Sequence, residues 1–550
     1  MPPVSEPPDP GPPDALPGAP SGTPSGKDAE PDRVPGRALL VGEAEAFTPA
    51  APPPDWEPIT PRRPPRSAPR PVRDPGAGWR KAVVVLALGG GLTAAVLTQP
   101  DVEVAETTTT TLEVGGVGTP AGQEGGPAGA TWFCPWVRVE PGYTSRLGIA
   151  SLAPEQNPGT VQVLPEGTVA AQPFQLPPFS QLTDDPLRGV AAPLASALVE
   201  TQAGPASVTH AVLATGEAGP AGIASARCRV SDAQVWSVTG GNTELGQEAW
   251  LVVVNPFGED ALVSLTASVD DALERPPRWQ DFAVGARSAV LIPIHEETPR
   301  RSRIGLTLTA TQGRITAEYM VLTAVSDPEL STGGVALFEA APVGEAAWYF
   351  AGGASAPDEQ ELITLYNPGE NQALVQVLLR GPEGVLDVPA LTEMPIAPQQ
   401  VTQIIPADYI EPGTPHGLEV LAQNDVYIVA SQEVKRAGGW GATAPVNRTS
   451  TEWLFADALW PGNAGELAVM NTGTEPATAE IGLLTDGAQV RTIEIPAPAG
   501  GVTVVPLPEE FRATGGAVRV QSDVPVVPTL RQNSATGSDL SILMGTPVGG

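Results

Sequence analysis

The chain has 550 residues, enough for about three to five domains. Its 30 basic and 62 acidic side chains give a formal net charge of −32. That balance argues against nucleic acid or anionic lipid as partner of the main body, because both repel a negative surface. Three histidines (His210, His295, His416) and two cysteines (Cys134, Cys228) leave little for a zinc site or metal cluster. No cofactor and no catalytic residue is assigned.

Residues 1–80 are rich in Pro, Ala, Gly and charge. Runs such as Pro2-Pro3, Pro52-Pro53-Pro54 and Pro64-Pro65 bar helix and central strand. The segment reads as a disordered tail with polyproline II stretches that can dock a cytoplasmic partner. Arg37–Phe47 is the exception, a short helix candidate.

The composition then changes abruptly. Ala82–Thr98 is 17 residues without a charge, at the lower edge of what spans a bilayer. We read 81–99 as a single transmembrane helix. Arg62, Arg63, Arg66, Arg70, Arg73, Arg80 and Lys81 precede it, and Asp101, Glu103 and Glu106 follow. The positive-inside rule places the N-terminus in the cytoplasm, the helix in the plasma membrane and the rest outside. A signal peptide is the rival reading, but it needs an unusually long n-region and no clear A-x-A site follows. Residues 100–130 form a Thr/Gly linker.

From Trp132 onward the 3.6-residue period disappears. Short Val/Leu/Ile/Thr runs, bounded by Gly, Pro, Asn and Asp, give the all-β signature. The body repeats itself. Trp236, Trp348 and Trp453 each open a unit, and strands ending in Asn255, Asn367 and Asn471 follow 19, 19 and 18 residues later. An alternating strand comes next (261–267, 373–379, 477–483), then an element ending in Pro293, Pro406 or Pro506. Each unit closes on two strands punctuated by Gln-Gly, Asn-Asp or Ser-Asp, expected as hairpin turns. A diverged unit opens at Trp132; its 147–164 aligns with 362–379, with Ala153-Pro154 falling where Asn367-Pro368 stands. The expected units are 131–232, 233–340, 341–448 and 449–550. Six or seven strands in roughly 105 residues fit an immunoglobulin-like β-sandwich. A β-propeller with two blades per unit is the alternative.

The Asn is expected to end one strand and turn the chain, and the opening Trp to plug the core. Trp136, Trp279, Trp440 and Trp460 fall outside the repeat positions. They are candidates for stacking on sugar rings, with packing in cores or joints the preferred reading. Cys134 and Cys228 bracket the first unit and are expected as a disulfide; two buried thiols are the alternative. Acidic pairs (Asp184-Asp185, Asp270-Asp271, Glu296-Glu297) match no calcium loop motif and read as solvated charge. Gly-x-Ser-x-Gly and His-Glu-x-x-His are absent.

The repeat motifs, seen in Trp348-Tyr349-Phe350, Leu362–Pro368, Gln403–Pro406 and Val518–Val527, resemble an actinobacterial family of uncharacterised, membrane-anchored secreted proteins. Similar repeats recur in bacterial surface proteins. The resemblance covers about residues 131–550 and implies a cell-envelope location, with no catalytic residues to carry over. The last unit departs from it, with Asn471-Thr472 in place of Asn-Pro. The leading expectation is a non-enzymatic envelope protein whose sandwiches bind an envelope polymer or a protein partner. The rivals are an enzyme acting on cell-wall glycan, with a carboxylate pair in a cleft, and an extracytoplasmic sensor or assembly factor.

Overall fold

A computed structural model describes residues 129–548, except 139–141, 166–169, 185–193, 217–220, 324–333, 354–357, 437–438, 486–487 and 535–538. The tail, the apolar run 82–98 and nearly all of the linker lie outside the described residues. Among those described, no helix is long and apolar enough to cross a membrane. The chain divides into two compact units, 1–109 and 110–550, and every described residue belongs to the second.

The strands of this unit form four groups. The first holds β1 (Ala130–Arg138), β2 (Tyr143–Ser151), β3 (Asn157–Leu164), β4 (Gln172–Leu176), β5 (Ser180–Asp184), β6 (Leu194–Thr201), β7 (Ala206–Thr215) and β8 (Ala221–Arg227). The second holds β9 (Val235–Thr239), β10 (Gln247–Asn255), β11 (Ala261–Val269), β12 (Ala272–Glu274), β13 (Phe282–Val284), β14 (Ser288–Pro293), β15 (Ile304–Gln312), β16 (Thr316–Thr323) and β17 (Gly334–Glu339). The third holds β18 (Ala347–Gly353), β19 (Glu359–Asn367), β20 (Ala373–Gly381), β21 (Gly384–Leu386), β22 (Met394–Ile396), β23 (Gln400–Ile404), β24 (His416–Ala422), β25 (Val429–Arg436) and β26 (Gly439–Thr443). The fourth holds β27 (Ser450–Leu459), β28 (Ala464–Met470), β29 (Ala477–Thr485), β30 (Ala488–Ala497), β31 (Val502–Pro506), β32 (Gly516–Asn533), β33 (Leu540–Met544) and β34 (Thr546–Pro547).

Each group is a pair of antiparallel sheets, and one strand order recurs: β1-β6-β3-β4 with β5-β2-β7-β8, β9-β15-β11-β12 with β14-β10-β16-β17, and β18-β24-β20-β21 with β23-β19-β25-β26. In the fourth group the 18-residue β32 bends across both sheets. Its first part pairs with β27 and β29, and its second with β28 and β33. Each core draws side chains from both sheets of its group, as the second shows with Val263 and Leu265 from one and Leu251 and Val253 from the other. The sheets therefore pack face to face as sandwiches, not side by side as propeller blades. The order differs from the ABED/CFG order of antibody domains within the same two-layer architecture.

The burial pattern follows from the sequence. Strands β11 and β20 alternate inside and outside along most of their length, as period-2 side chains on a one-sided sheet must. Strands β2, β10 and β19 share a different pattern, buried on both faces over their last five residues. A neighbouring sandwich covers the outer face of each, so even Thr364 of β19 is buried. Val252, Val254, Met320 and Leu322 of the second sandwich thus join Leu164, Val212, Ala224 and Ala226 of the first in one cluster.

The landmark residues do specific work. Trp236, Trp348 and Trp453 are buried, and each indole N–H donates to a backbone carbonyl: Ile315 (2.7 Å) and Ile428 (2.8 Å), just before β16 and β25, and Val526 (3.0 Å), within β32. Asn255, Asn367 and Asn471 each donate to the carbonyl four residues on (2.7 Å in every case) and accept from the N–H two residues on. That is an Asx-type turn, buried and fully satisfied. In the first sandwich the register puts Ser151, not Ala153, at this place. Asn157 supplies the amide instead, donating to Ser151 Oγ and to the Ala203 carbonyl.

One expectation is corrected. Gln312-Gly313 and Asn424-Asp425 do not turn hairpins, and Ser522-Asp523 lies inside the continuous β32. β15 and β16, like β24 and β25, belong to opposite sheets, so the chain crosses the core there. Apolar side chains on both strands need a common interior, and crossing between layers provides it. The hairpin pairs are the next ones, β16 with β17 and β25 with β26.

The four sandwiches contact one another in a closed cycle. β1 packs on β10 and β16, β9 on β19 and β25, β18 on β28 and β32, and β27 on β2 and β7. At the middle, β8 meets β17, β17 meets β26, β26 meets β33, and β33 returns to β8.

Candidate functional site

Charged groups converge where these four strands meet. Arg227, at the end of β8, donates to Glu339 at the end of β17 through its backbone N–H (2.8 Å), Nε (3.2 Å) and Nη2 (2.8 Å). The same guanidinium donates to the Ala444 and Pro445 carbonyls beyond β26 and to the Gly545 carbonyl beyond β33. One buried side chain of the first sandwich thus touches the other three. Arg229 adds a second cation 2.8 Å from Glu339. Burial pushes the Glu339 carboxyl up, but Arg227 and Arg229 outweigh it and hold it below the usual range. Burial pulls Arg229 down to about 10 against the opposing pull of Glu339. A carboxylate lodged between two guanidiniums is a fastening, with no free lone pair facing solvent.

The other joints follow suit. His210 Nε2 lies 2.9 Å from Glu318, whose carboxyl burial raises. Glu433 accepts from the Gly241 N–H (2.8 Å) and the Trp440 indole (3.1 Å). Tyr366 reaches from the third sandwich to Thr307 of the second (2.8 Å). Asp457 accepts from Arg146 (2.6 and 2.9 Å), and burial raises its carboxyl despite that partner.

The joint between the third and fourth sandwiches differs. It leaves a cleft of about 270 Å³, lined among others by Asp358, Glu359, Thr414, Arg436, Glu466, Arg531 and Asn533. Glu359 Oε1 holds Arg531 (2.8 Å) and Arg436 (3.5 Å), and Arg436 also donates to Asn533 (2.9 Å). Behind the lining, His416 Nε2 meets Glu361 (2.7 Å), and Gln432 donates to the other oxygen of Glu361 (2.7 Å). His416 Nδ1 lies 3.0 Å from the Thr414 carbonyl. Both ring nitrogens face acceptors, an arrangement that favours the protonated ring. Burial lowers its pKa, but Glu361 and the Thr414 carbonyl overcome this and raise it. Gly353 stands against the ring; a Cβ there falls 2.2 Å from Nε2. At register-equivalent positions the other sandwiches carry Ser145 and Ala195, Ala249 and Ile304, or Gly465 and Gly516. The buried pair therefore belongs to the third sandwich alone.

The residues singled out from sequence fall as follows. Cys134 and Cys228 form a disulfide joining β1 to the segment after β8. His210 Nδ1 sits 3.6 Å from Cys228 Sγ. This compact trio offers no thiolate to a metal, because both sulfurs are bonded to each other. Three stacking candidates are corrected: Trp279, Trp440 and Trp460 are 2%, 1% and 7% exposed, which leaves no ring face for a sugar. Trp279 and Trp440 fill the core of the second sandwich, and Trp460 packs beside the first with Arg146 over its ring at 4.5 Å. Burying so much apolar area is worth more inside a core or joint than at the surface. The side chain of Trp136 lies outside the described residues. Asp270 accepts from Ser302 and from the Arg303 N–H, and Asp271, 84% exposed, and Glu297 pair at the surface with Arg303 and Arg278, in keeping with solvated charge. Asp184-Asp185 lie outside the described side chains.

Glu361 and His416 are not among the residues singled out from sequence. The signal was present: Glu361 occupies an inward position of an apolar strand, two residues before Ile363 and four before Leu365, both in the core. A carboxylate there demands a buried partner.

A family of unknown function, DUF5719, matches residues 188–451 and, in a second overlapping register, 347–547. No curated relative matches the chain. Among solved structures, the chain shows a faint similarity to an α-L-rhamnosidase of Streptomyces avermitilis complexed with L-rhamnose, at 11% identity and a TM-score of 0.10. The alignment covers 68% of this chain and 53% of that enzyme, about half its length. At that score the likeness carries no argument.

Proposed function

The chain belongs to DUF5719, a family of unknown function, and from that premise we propose that it is a non-enzymatic, single-pass protein of the cell envelope. In this reading 82–98 anchors it in the plasma membrane, the Pro-rich tail meets a cytoplasmic partner, and the sandwiches bind an envelope polymer outside. One observation carries the binding role. The carboxylates Glu318 and Glu339, with His210, Arg227 and Arg229 as their partners, are buried as fastenings between sandwiches. Such an arrangement supports a fixed platform that presents a surface, rather than a site that turns over substrate.

The experiment is sedimentation of the detergent-solubilised full chain with isolated cell-wall sacculi across a salt series. Retention that persists at high salt supports specific polymer recognition. Release at modest salt, or no retention, overturns it. A protein partner is the second reading, favoured by charge: residues 82–550 carry 20 basic and 51 acidic side chains, a field that steers basic proteins. Crosslinking in intact cells tests that arm.

A further inference from the structure

We propose that the cleft between the third and fourth sandwiches binds a neutral, hydroxyl-rich ligand, a saccharide unit. This deepens the polymer-binding reading above and rests on it. Hydrogen-bonding capacity is left over in this cleft. Arg436 and Arg531 line it, their side chains 15% and 10% exposed. The Nε of each is buried and finds no acceptor among the described residues. Asp358 and Glu466 line the same cleft and make no ion pair among the described residues. Glu359 holds both arginines through Oε1 alone.

Guanidinium groups and unpaired carboxylates therefore line one space. An anion there meets three carboxylates, and a cation meets two guanidiniums. A hydroxyl group suits both, because it donates one hydrogen bond and accepts two. Several hydroxyls fixed on a ring satisfy donors and acceptors at once without bringing a charge. The volume, about 270 Å³, lies just under the usual range of small-molecule pockets and suits a single ring. The walls come from two sandwiches locked to each other by Glu359–Arg531 and Arg436–Asn533, so the site is preorganised. Neither buried Trp440 nor buried Trp460 contributes; recognition here is polar.

The test uses the full chain in detergent and saturation-transfer NMR. The probes are a panel of neutral mono- and disaccharides, with citrate and free arginine as charged controls. At least one neutral saccharide is expected to show saturable transfer that the controls do not compete away. The double variant Asp358→Asn/Glu466→Gln keeps the shape of the rim and removes both charges; it is expected to weaken that saccharide at least fivefold with an unchanged melting temperature. Glu466→Ala alone gives a second, independent reading. Preference for citrate or arginine, no saturable saccharide, or variants that bind as the wild type overturns the proposal. The sacculus assay separates the two levels: if the double variant still sediments with sacculi at high salt, the platform reading stands and the cleft assignment falls.

Discussion

Two joints of the same molecule solve the burial of charge in opposite ways. Where the first and second sandwiches meet, Glu339 is enclosed by Arg227 and Arg229, and three backbone carbonyls of the other two sandwiches accept from the Arg227 guanidinium. Where the third and fourth meet, one carboxylate, Glu359, serves two arginines, and two further carboxylates stand beside them unpaired among the described residues. The first joint is filled and fixes geometry. The second leaves a cavity lined by guanidiniums and by carboxylates without an ion pair among the described residues. One strand order thus carries both a fastening and a candidate site, and the difference lies in a handful of side chains.

Breaking the closed joint is expected to cost most. Glu339→Ala leaves two buried guanidiniums without their counter-ion, a loss of about 3–5 kcal/mol, readable in urea unfolding. The carboxyl of Glu339 is held low, so its contribution is present above the ordinary glutamate range and lost as pH falls through the lowered value. Acid is therefore expected to loosen this joint, and E339Q to flatten that dependence.

Removing the disulfide by Cys134→Ser/Cys228→Ser is expected to cost about 2–4 kcal/mol, because the loop it closes is long. The lost protection should fall first on the first sandwich, seen by limited proteolysis. Asn367→Ala leaves the Asn371 and Ile396 carbonyls without their donor, at about 1–3 kcal/mol. The same change at Asn471 should match it, since the turn is the same.

At the open joint the sign with pH reverses. The pKa of His416 is raised in the folded state, so its pairing with Glu361 stabilises below the ordinary histidine value of about 6.5 and is lost as pH rises through the raised one. Mild alkali is expected to lower the melting temperature of the wild type and to leave His416→Gln unaffected by that step. Asp358→Asn, on the exposed rim, is expected to change stability by less than about 0.5 kcal/mol.

Much of this fold is legible in the chain. Trp236, Asn255 and their counterparts mark strand ends by simple spacing, because each serves a local turn or a core within its own unit. The disulfide follows from two cysteines bracketing one unit. The turn of the first unit lies two positions from where sequence alignment puts it, because this unit splits the Asn role between Ser151 and Asn157. The hairpins fall elsewhere than expected because short turns look alike whether the chain stays in a sheet or crosses a core. The joints are beyond reach: Arg227 meets Glu339 112 residues away and Gly545 318 residues away, and no periodicity reports such contacts. For the same reason Trp440 and Trp460, surplus within their own units, can be read from sequence as packing residues without showing that it is neighbouring sandwiches that bury them.

Arg227 and Glu339 fasten all four sandwiches together, and hydrogen exchange tests that fastening most directly. The wild-type full chain is compared with E339Q, strand by strand. The expected result is faster exchange in β8, β17, β26 and β33 alike. Faster exchange confined to β8 and β17, with β26 and β33 unchanged, would contradict it.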